Sequence, residues 1–392
     1  MVRTLEGKKI LLGITGSIAA YKAVEILREL QRRGADVYTA VTPNALEFVS
    51  EVVLRTLSGH SVYKEIVPKE NPEIRHTSLA SLVDLFIVAP ATGNTIAKIA
   101  CGIADNPVTA SALAIGKGII CPAMNVKMYE NPATVDNIEL LRKRGYVIVD
   151  SDEGELACGV RGKGRLAKVE TIVEAVEDYF IPKFLKGKKV VVTAGPTREY
   201  IDPVRFISNP SSGKMGYEIA KVARAAGASV TLISGKTCLD APSGMNFIEV
   251  ETVDEMRSAV IENIKGADVY ISAAAIGDYR PVKRSESKIK KGAGRLVIEF
   301  ERTPDILSEV AEGKLARFIV GFAAETDNLI ENARKKLKSK KIDMVVANDV
   351  KGKVFGKDET ECVIVGENFE EKVSGSKRKV ALEILKLISQ KL

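Results

Sequence analysis

Histidine and cysteine set narrow bounds on the chemistry open to this chain of 392 residues. The two histidines, His60 and His76, fit neither a His-rich metal site nor HExxH chemistry. Cys101, Cys121, Cys158, Cys238 and Cys362 are an odd set with no CxxC pair, and read as reduced thiols rather than a disulfide frame or zinc site. Cys158 stands apart. It lies in the basic stretch ACGVRGKGR, residues 157–165, where Gly159, Gly162 and Gly164 suggest a mobile loop able to fold over a site. A reactive thiol and a structural one are both open there. Two turns suit phosphate: Gly13-Ile14-Thr15-Gly16-Ser17 and Ser211-Ser212-Gly213 each precede a helix-like stretch whose first amides could hold an anion, although a plain helix cap looks the same. Neither is GxGxxG or a Walker loop, and no Asp or Glu closes the following strands at Val41-Thr42 and Ile233-Ser234-Gly235. That disfavours a dinucleotide and leaves a mononucleotide. Residues 283–295, KRSESKIKKGAGR, carry six basic side chains against Glu286, as a solvated loop or a flexible polyphosphate clamp. Lys336 and Lys340 share one face of an amphipathic helix over residues 328–341, and pattern alone favours a solvent-facing stripe.

The elements that must position these residues repeat. Gly7-Lys8-Lys9 opens an apolar run at 10–14, and Gly187-Lys188-Lys189 opens another at 190–194. Gly34-Ala35 and Gly227-Ala228 open second strands, and residues 84–89 and 268–272 read as third strands. Gly7 to Gly187 spans 180 residues and Gly34 to Gly227 spans 193, so the second half carries thirteen extra residues, placed in the loop 195–213. Strands alternating with helical patterns predict an α/β protein of two doubly wound parallel-sheet domains, residues 1–182 and 187–392, joined near Pro182 to Gly187 after a helix at 171–180. Loops at the carboxyl ends of such strands carry the chemistry. Hydrophobic residues at 45% and charged residues at 28% support two cores, and a net charge of +7 suits anionic small ligands. Aromatics at 5% with no Trp argue against nucleic-acid stacking. No run approaches the ~20 apolar residues of a membrane span, so a soluble, cytoplasmic protein is expected.

Further segments sharpen the first half. Pro90-Ala91-Thr92-Gly93-Asn94 follows the third strand, Gly102-Ile103-Ala104-Asp105-Asn106 follows a helix, and Pro122-Ala123-Met124-Asn125-Val126-Lys127-Met128 follows a strand at 118–121. With His76 ahead of the third strand, this half resembles the flavin-dependent cysteine decarboxylase family, with its PATxN flavin motif and PxMNxxM substrate motif. The resemblance implies a flavodoxin-like domain binding FMN through Gly16, Ser17, Thr42, Pro90, Ala91, Thr92 and Asn94. It places Asn125 and Met128 on the substrate, has His76 position or deprotonate it, and makes Cys158 the proton donor on a flap. It also implies oxidation of the cysteine moiety to a thioaldehyde, loss of carbon dioxide, and reduction of the enethiolate with no net redox change.

In the second half, GPTREYIDPVRFISNPSSGKMG (195–216), AAAIGDYRP (273–281), KIKK (288–291) and GFAAET (321–326) together resemble the phosphopantothenate-cysteine ligase domain. The two halves in this order resemble the bifunctional enzymes of coenzyme A biosynthesis over nearly the whole chain; Pro210 stands where bacterial members commonly have His. The resemblance implies a Rossmann-like nucleotide-binding domain using CTP and Mg²⁺ to activate 4′-phosphopantothenate as an acyl cytidylate, which cysteine then attacks. Asn209 would assist the acyl intermediate and Lys288 neutralise phosphate charge. Asp278 would support the nucleotide or its cation, and Ala273 and Ala274 would flank cytosine. Pro304, Asp305, Ile306, Leu307, Phe322, Lys336 and Lys340 would complete the nucleotide pocket, with Arg205, Ser211 and Ser212 on the substrate. It further implies a homo-oligomer, flavin-domain trimers and ligase dimers combining to a dodecamer. The competing classes are a flavin-binding regulatory protein, which needs neither the Cys158 flap nor a ligase half, and a flavin or nicotinamide oxidoreductase, which lacks a dinucleotide fingerprint here. The tail beyond about Gly366 shows no motif.

Overall fold

The computed structural model describes residues 3–67, 75–155, 159, 161–291, 295–325, 328–349 and 359–392. It separates into two compact units, Met1–Phe180 and Ile181–Leu392.

The first unit holds a parallel sheet of β1 (Lys9–Ile14), β2 (Asp36–Val41), β3 (Leu85–Ala91), β4 (Ile119–Pro122) and β5 (Val147–Ile148). Their order, β2-β1-β3-β4-β5, is that of flavodoxin-like sheets, with its switch point between β1 and β3. Ile10, Leu12 and Ile14 of β1 pack with Ile26, Leu27 and Leu30 of the helix Lys22–Arg32, whereas Leu11 joins Phe86, Val88 and Val108 on the other face. Burial on both faces is why the strand reads as an unbroken apolar run instead of an alternation. The hairpin of β6 (Asp152–Glu155) and β7 (Arg161–Arg165) precedes the last helix, Val169–Tyr179.

The second unit contains β8 (Lys189–Ala194), β9 (Arg198–Tyr200), β10 (Phe206–Ser208), β11 (Ser229–Gly235), β12 (Asn246–Val250), β13 (Ala267–Ser272), β14 (Tyr279–Pro281), β15 (Phe300–Arg302), β16 (Ala316–Glu325), β17 (Met344–Asp349), β18 (Glu359–Gly366) and β19 (Glu370–Ser376). The main sheet runs β12-β11-β8-β13-β16-β17-β18-β19. It is parallel from β12 to β17, and then β18 and β19 add antiparallel, so the expectation of an all-parallel sheet is corrected at one edge. The tail that lacked a motif supplies that edge and the helix Lys377–Ser389, which buries Val380, Ile384, Leu385 and Ile388. Edge strand β19 carries Glu370, Glu371 and Lys372, charges that discourage further strand pairing. The thirteen-residue excess is more than a loop, because β9 and β10 pair within it as an antiparallel hairpin; β14 and β15 form another.

The join also differs from the expected connector. Ile181 and Leu185 are buried in the second core, and Leu185 N–H donates to Ala226 O at 3.0 Å. A fragment beginning at Gly187 therefore lacks two core side chains that one beginning at Ile181 keeps. The shorter fragment is expected to be less stable by about 2–5 kcal/mol for each side chain lost. Urea denaturation of both checks this, and equal midpoints would refute it. No helix among the described residues is long and apolar enough to cross a membrane.

Candidate active sites

In the first unit, segments far apart in sequence meet at the carboxyl edge of the sheet. Thr15 Oγ1 donates to Pro90 O at 2.7 Å and accepts from Thr92 N at 3.0 Å, which fastens the turn after β1 to the one after β3. The Ala89–Pro90 peptide is cis. Thr92 caps the helix Gly93–Cys101 by accepting from Thr95 N. Ser17 acts as a helix cap, accepting from Ala19 N, and its Oγ lies 3.4 Å from Ala123 O, beside the PxMNxxM segment. A Cβ added at Gly16 would fall 2.5 Å from Asn44 Cβ, and one at Gly93 3.3 Å from Met124 Sδ. The two turns, Thr42 and the PxMNxxM segment thus share one edge. Thr42 Oγ1 is buried with no hydrogen-bond partner among the described residues, a hydroxyl left for a ligand. Together with the half-buried Ser17 and the exposed Asn94, it fits the flavin site that the sequence suggests.

His76 sits in the first turn of the helix Arg75–Leu82, and that helix packs on the helix Pro107–Ile115. Its Nδ1 is buried without a hydrogen-bond partner among the described residues. His60 is set apart from the site, because its Nε2 lies 2.6 Å from Asp36 Oδ1 at the opposite end of β2 and its ring stacks on Tyr38. Asn125 caps the helix Val126–Tyr129, with its side chain accepting from Lys127 N, and Met128 is half exposed. Cys158 lies outside the described residues, in the segment that joins β6 to β7.

The glycines after Cys158 do something other than confer mobility. Gly164 has φ +133°, and a Cβ there would stand 2.2 Å from Met124 O; at Gly162 it would stand 2.8 Å from Val126 Cγ2. Met124 N also donates to Gly164 O at 2.9 Å. The glycines let β7 press onto the PxMNxxM segment. Gly164→Ala is expected to cost at least ~1–3 kcal/mol from the backbone conformation alone. Guanidinium denaturation measures it, and an unchanged midpoint would contradict the close approach.

The second unit holds a cleft of about 880 Å³. Asn209, Ser211, Ser212, Ala273, Ala274, Asp278, Pro304, Asp305, Ile306, Leu307, Phe322, Lys336 and Lys340 all line it. Asn209 Nδ2 donates to Ile276 O at 3.0 Å, which docks the inserted loop on the chain after β13. The helix Lys214–Ala225 starts at Gly213, in left-handed conformation, with no side-chain cap, and residues 213–216 line the cleft. Gly213 has no side chain to cap the helix, Ser211 Oγ accepts from Gly213 N at 3.3 Å just before it, and the positive end of the helix dipole meets the cavity. Lys336 and Lys340 turn inward instead of forming a solvent stripe: Lys336 Nζ donates to Phe322 O at 2.7 Å, and Lys340 pairs with Asp305. Partial burial pushes the Asp305 carboxyl up, but Lys340 and the Ser308 amide outweigh it and hold it below its usual range.

Two named residues fall outside the lining. Lys288 is exposed. The Arg205 guanidinium is engaged by Asp202 Oδ2 at 3.4 Å and Ile289 O at 3.3 Å. Conversely Asn348, Thr360 and Lys377 line the cleft without any sequence signal having marked them. The Ser376 cap of the helix Lys377–Ser389 was the available clue to where a helix begins there, though not to what it faces. Among the described residues no group of three or more His, Cys, Asp or Glu could hold a metal ion.

The family described as Flavoprotein matches residues 2–180, and the family described as DNA/pantothenate metabolism flavoprotein C-terminal domain matches residues 185–392. The coenzyme A biosynthesis bifunctional protein CoaBC of Bacillus subtilis (strain 168) is 46% identical over 362 residues, covering 90% of this chain and 89% of that protein. The CoaBC of Thermococcus kodakarensis is 44% identical over 385 residues, covering 95% and 92%. A crystal structure of the C-terminal domain of a CoaBC protein, 42% identical, covers 53% of this chain and 97% of its own, with a TM-score of 0.47. With a flavoprotein half and a pantothenate-metabolism half in one chain, aligned to CoaBC proteins over nearly all its length, this chain belongs to the family of coenzyme A biosynthesis bifunctional proteins.

Proposed function

We propose that the first unit is an FMN-dependent decarboxylase of 4′-phosphopantothenoylcysteine, and the second a CTP-dependent ligase that makes that compound from 4′-phosphopantothenate and cysteine. The chain is a bifunctional decarboxylase and ligase of coenzyme A biosynthesis, as its family is. The observation that carries the finer reading is the cleft, which gathers nucleotide and acyl-site candidates from five stretches of chain between Asn209 and Lys340.

A carboxylate is a poor acyl donor, so the ligase must first give it a leaving group. Lys336, Lys340 and the helix start at Gly213 supply positive charge along the cleft, suited to a triphosphate. Lys288 would meet the charge that develops as pyrophosphate departs, and Asn209 would hydrogen-bond the acyl cytidylate. Asp278 would support the nucleotide or the Mg²⁺ it carries. Arg205, Ser211 and Ser212 remain the substrate-binding candidates.

In the first unit Gly16, Ser17, Thr42, Pro90, Ala91, Thr92 and Asn94 would hold FMN, which when bound supplies reversible two-electron oxidation of the cysteinyl group. Asn125 would grip the substrate carboxylate with Met128 beside it. His76 would position the substrate or take its proton, and Cys158 would return a proton at the end. We assign the unit Met1–Phe180 to the decarboxylase and the unit Ile181–Leu392 to the ligase, and propose a cytoplasmic homo-oligomer, as trimers and dimers combining to a dodecamer.

The test is direct. Purified protein is expected to be yellow with an FMN spectrum, and to release pyrophosphate from CTP only when 4′-phosphopantothenate is present. Colourless protein that reconstitution with FMN leaves inactive would sink the first assignment. Pyrophosphate release from CTP without 4′-phosphopantothenate would sink the second.

A further inference from the structure

The basic arm that carries Lys288 is tied to the inserted hairpin by a buried carboxylate. Asp202 lies between β9 and β10 and is wholly buried. Its Oδ1 accepts from Val204 N and Arg205 N, both at 2.8 Å, which closes the hairpin turn. Its Oδ2 does something else: it accepts from Ile289 N at 3.2 Å, 87 residues away, with the Arg205 guanidinium at 3.4 Å. Arg205 Nη2 in turn donates to Ile289 O at 3.3 Å, so both backbone polar groups of Ile289 are engaged. Ser285 N donates to Ile201 O at 2.9 Å, and Arg284 stacks over the Tyr200 ring. The fixed residue is thus the immediate neighbour of Lys288, whose own side chain is exposed.

We propose that Asp202 is a positioning residue for the ligase reaction, its Oδ2 and Arg205 together holding Ile289 so that Lys288 is presented at a fixed place on the arm. This rests on the reading of Lys288 as the group that meets the triphosphate. Burial pushes the Asp202 carboxyl up, but the three amides and the Arg205 guanidinium more than offset it, and the net shift is downward. Asp202 is accordingly a carboxylate acceptor at neutral pH. A lysine on an untied basic arm would sample many positions, and the entropy of placing it would be lost again at each turnover. The same geometry gives Arg205 a place in the latch in addition to the substrate-binding role proposed for it.

Asp202→Asn separates the two jobs of the side chain. The amide keeps an oxygen for the Val204 and Arg205 amides, so the turn closes, while its NH₂ replaces the acceptor that faces Ile289 and Arg205. In the full-length protein, hydrogen exchange of the peptide covering 285–291 is expected to quicken about tenfold or more, the scale of one hydrogen bond to a charged group. Peptides of β8 and β13 should keep wild-type rates. The pyrophosphate burst with CTP and 4′-phosphopantothenate should slow by a similar factor, and the loss should vanish in a Lys288→Gln background, because groups acting through one another are not additive. Unchanged exchange at 285–291, or a loss that adds in full to Lys288→Gln, would overturn the proposal. The two readings fail differently. A burst undiminished in Lys288→Gln overturns the triphosphate reading and this inference with it, whereas a burst lost in Lys288→Gln but kept in Asp202→Asn overturns the latch alone. If Asp202→Asn does not fold, Ile289→Pro removes the same bond from the arm's side, and a normal burst in that variant likewise overturns the latch.

Discussion

His76→Asn is expected to lower carbon dioxide release by about 10²–10⁴-fold, the range for a positioned acid or base, while the FMN spectrum of the purified protein stays intact. The imidazole Nδ1 is buried and has no partner among the described residues, although its helix is well packed against the helix Pro107–Ile115. A buried nitrogen without a partner costs stability unless a ligand completes it. Asn keeps a polar atom near Nδ1 but has no basicity, so a role in proton transfer is lost even where a hydrogen bond survives. The flavin segments do not depend on His76, because Thr15, Pro90 and Thr92 hold one another, and Ser17 reaches Ala123. Carbon dioxide release from supplied 4′-phosphopantothenoylcysteine, with absorbance of the same sample, is the measurement. Loss of colour along with activity would mark a structural histidine, and an activity loss that His76→Gln restores at all pH values would mark a positioner.

Lys288→Gln is expected to suppress the pyrophosphate burst by about 10²–10³-fold, and Asn209→Asp to leave the burst but slow the capture of the acyl cytidylate by cysteine by a similar factor. An uncharged amide cannot replace an ammonium where charge develops on the departing pyrophosphate. Asn209 lines the cleft with its Nδ2 already directed to Ile276 O and 3.4 Å from Ala275 O, on the chain that bears Ala273, Ala274 and Asp278. Asp in its place removes that donor and adds a negative charge beside the phosphate of the intermediate. Pyrophosphate release with and without cysteine separates the two steps. A stoichiometric burst from Lys288→Gln would return residues 283–295 to the status of a solvated loop.

Much of this architecture was legible in one dimension. The runs at 10–14, 84–89, 190–194 and 268–272 are strands because parallel strands buried on both faces must be apolar throughout, which no helix face or half-exposed strand requires. The motifs that follow them lie at the carboxyl edge because strand direction is set by the chain itself in a parallel sheet. Sequence likewise placed Lys336 and Lys340 on one helical face, as a period of 3.6 demands.

What that face meets was decided only by tertiary structure. A helix period fixes which residues share a side but not which neighbour covers it, so only packing turns Lys340 to Asp305 and Lys336 to Phe322. Lys377 and Thr360 reach the cleft because β18 and β19 return antiparallel on β17, a pairing that joins segments with no local signal for one another. Gly162 and Gly164 read as part of a mobile loop, yet their lack of a side chain serves close contact with Val126 and Met124, 36 and 40 residues earlier. The second oxygen of Asp202 acquires its Ile289 partner only when the arm folds back across the hairpin. Composition and period determine local geometry because they act within a few residues, whereas long-range partners depend on strand order and register, which no short window of sequence contains.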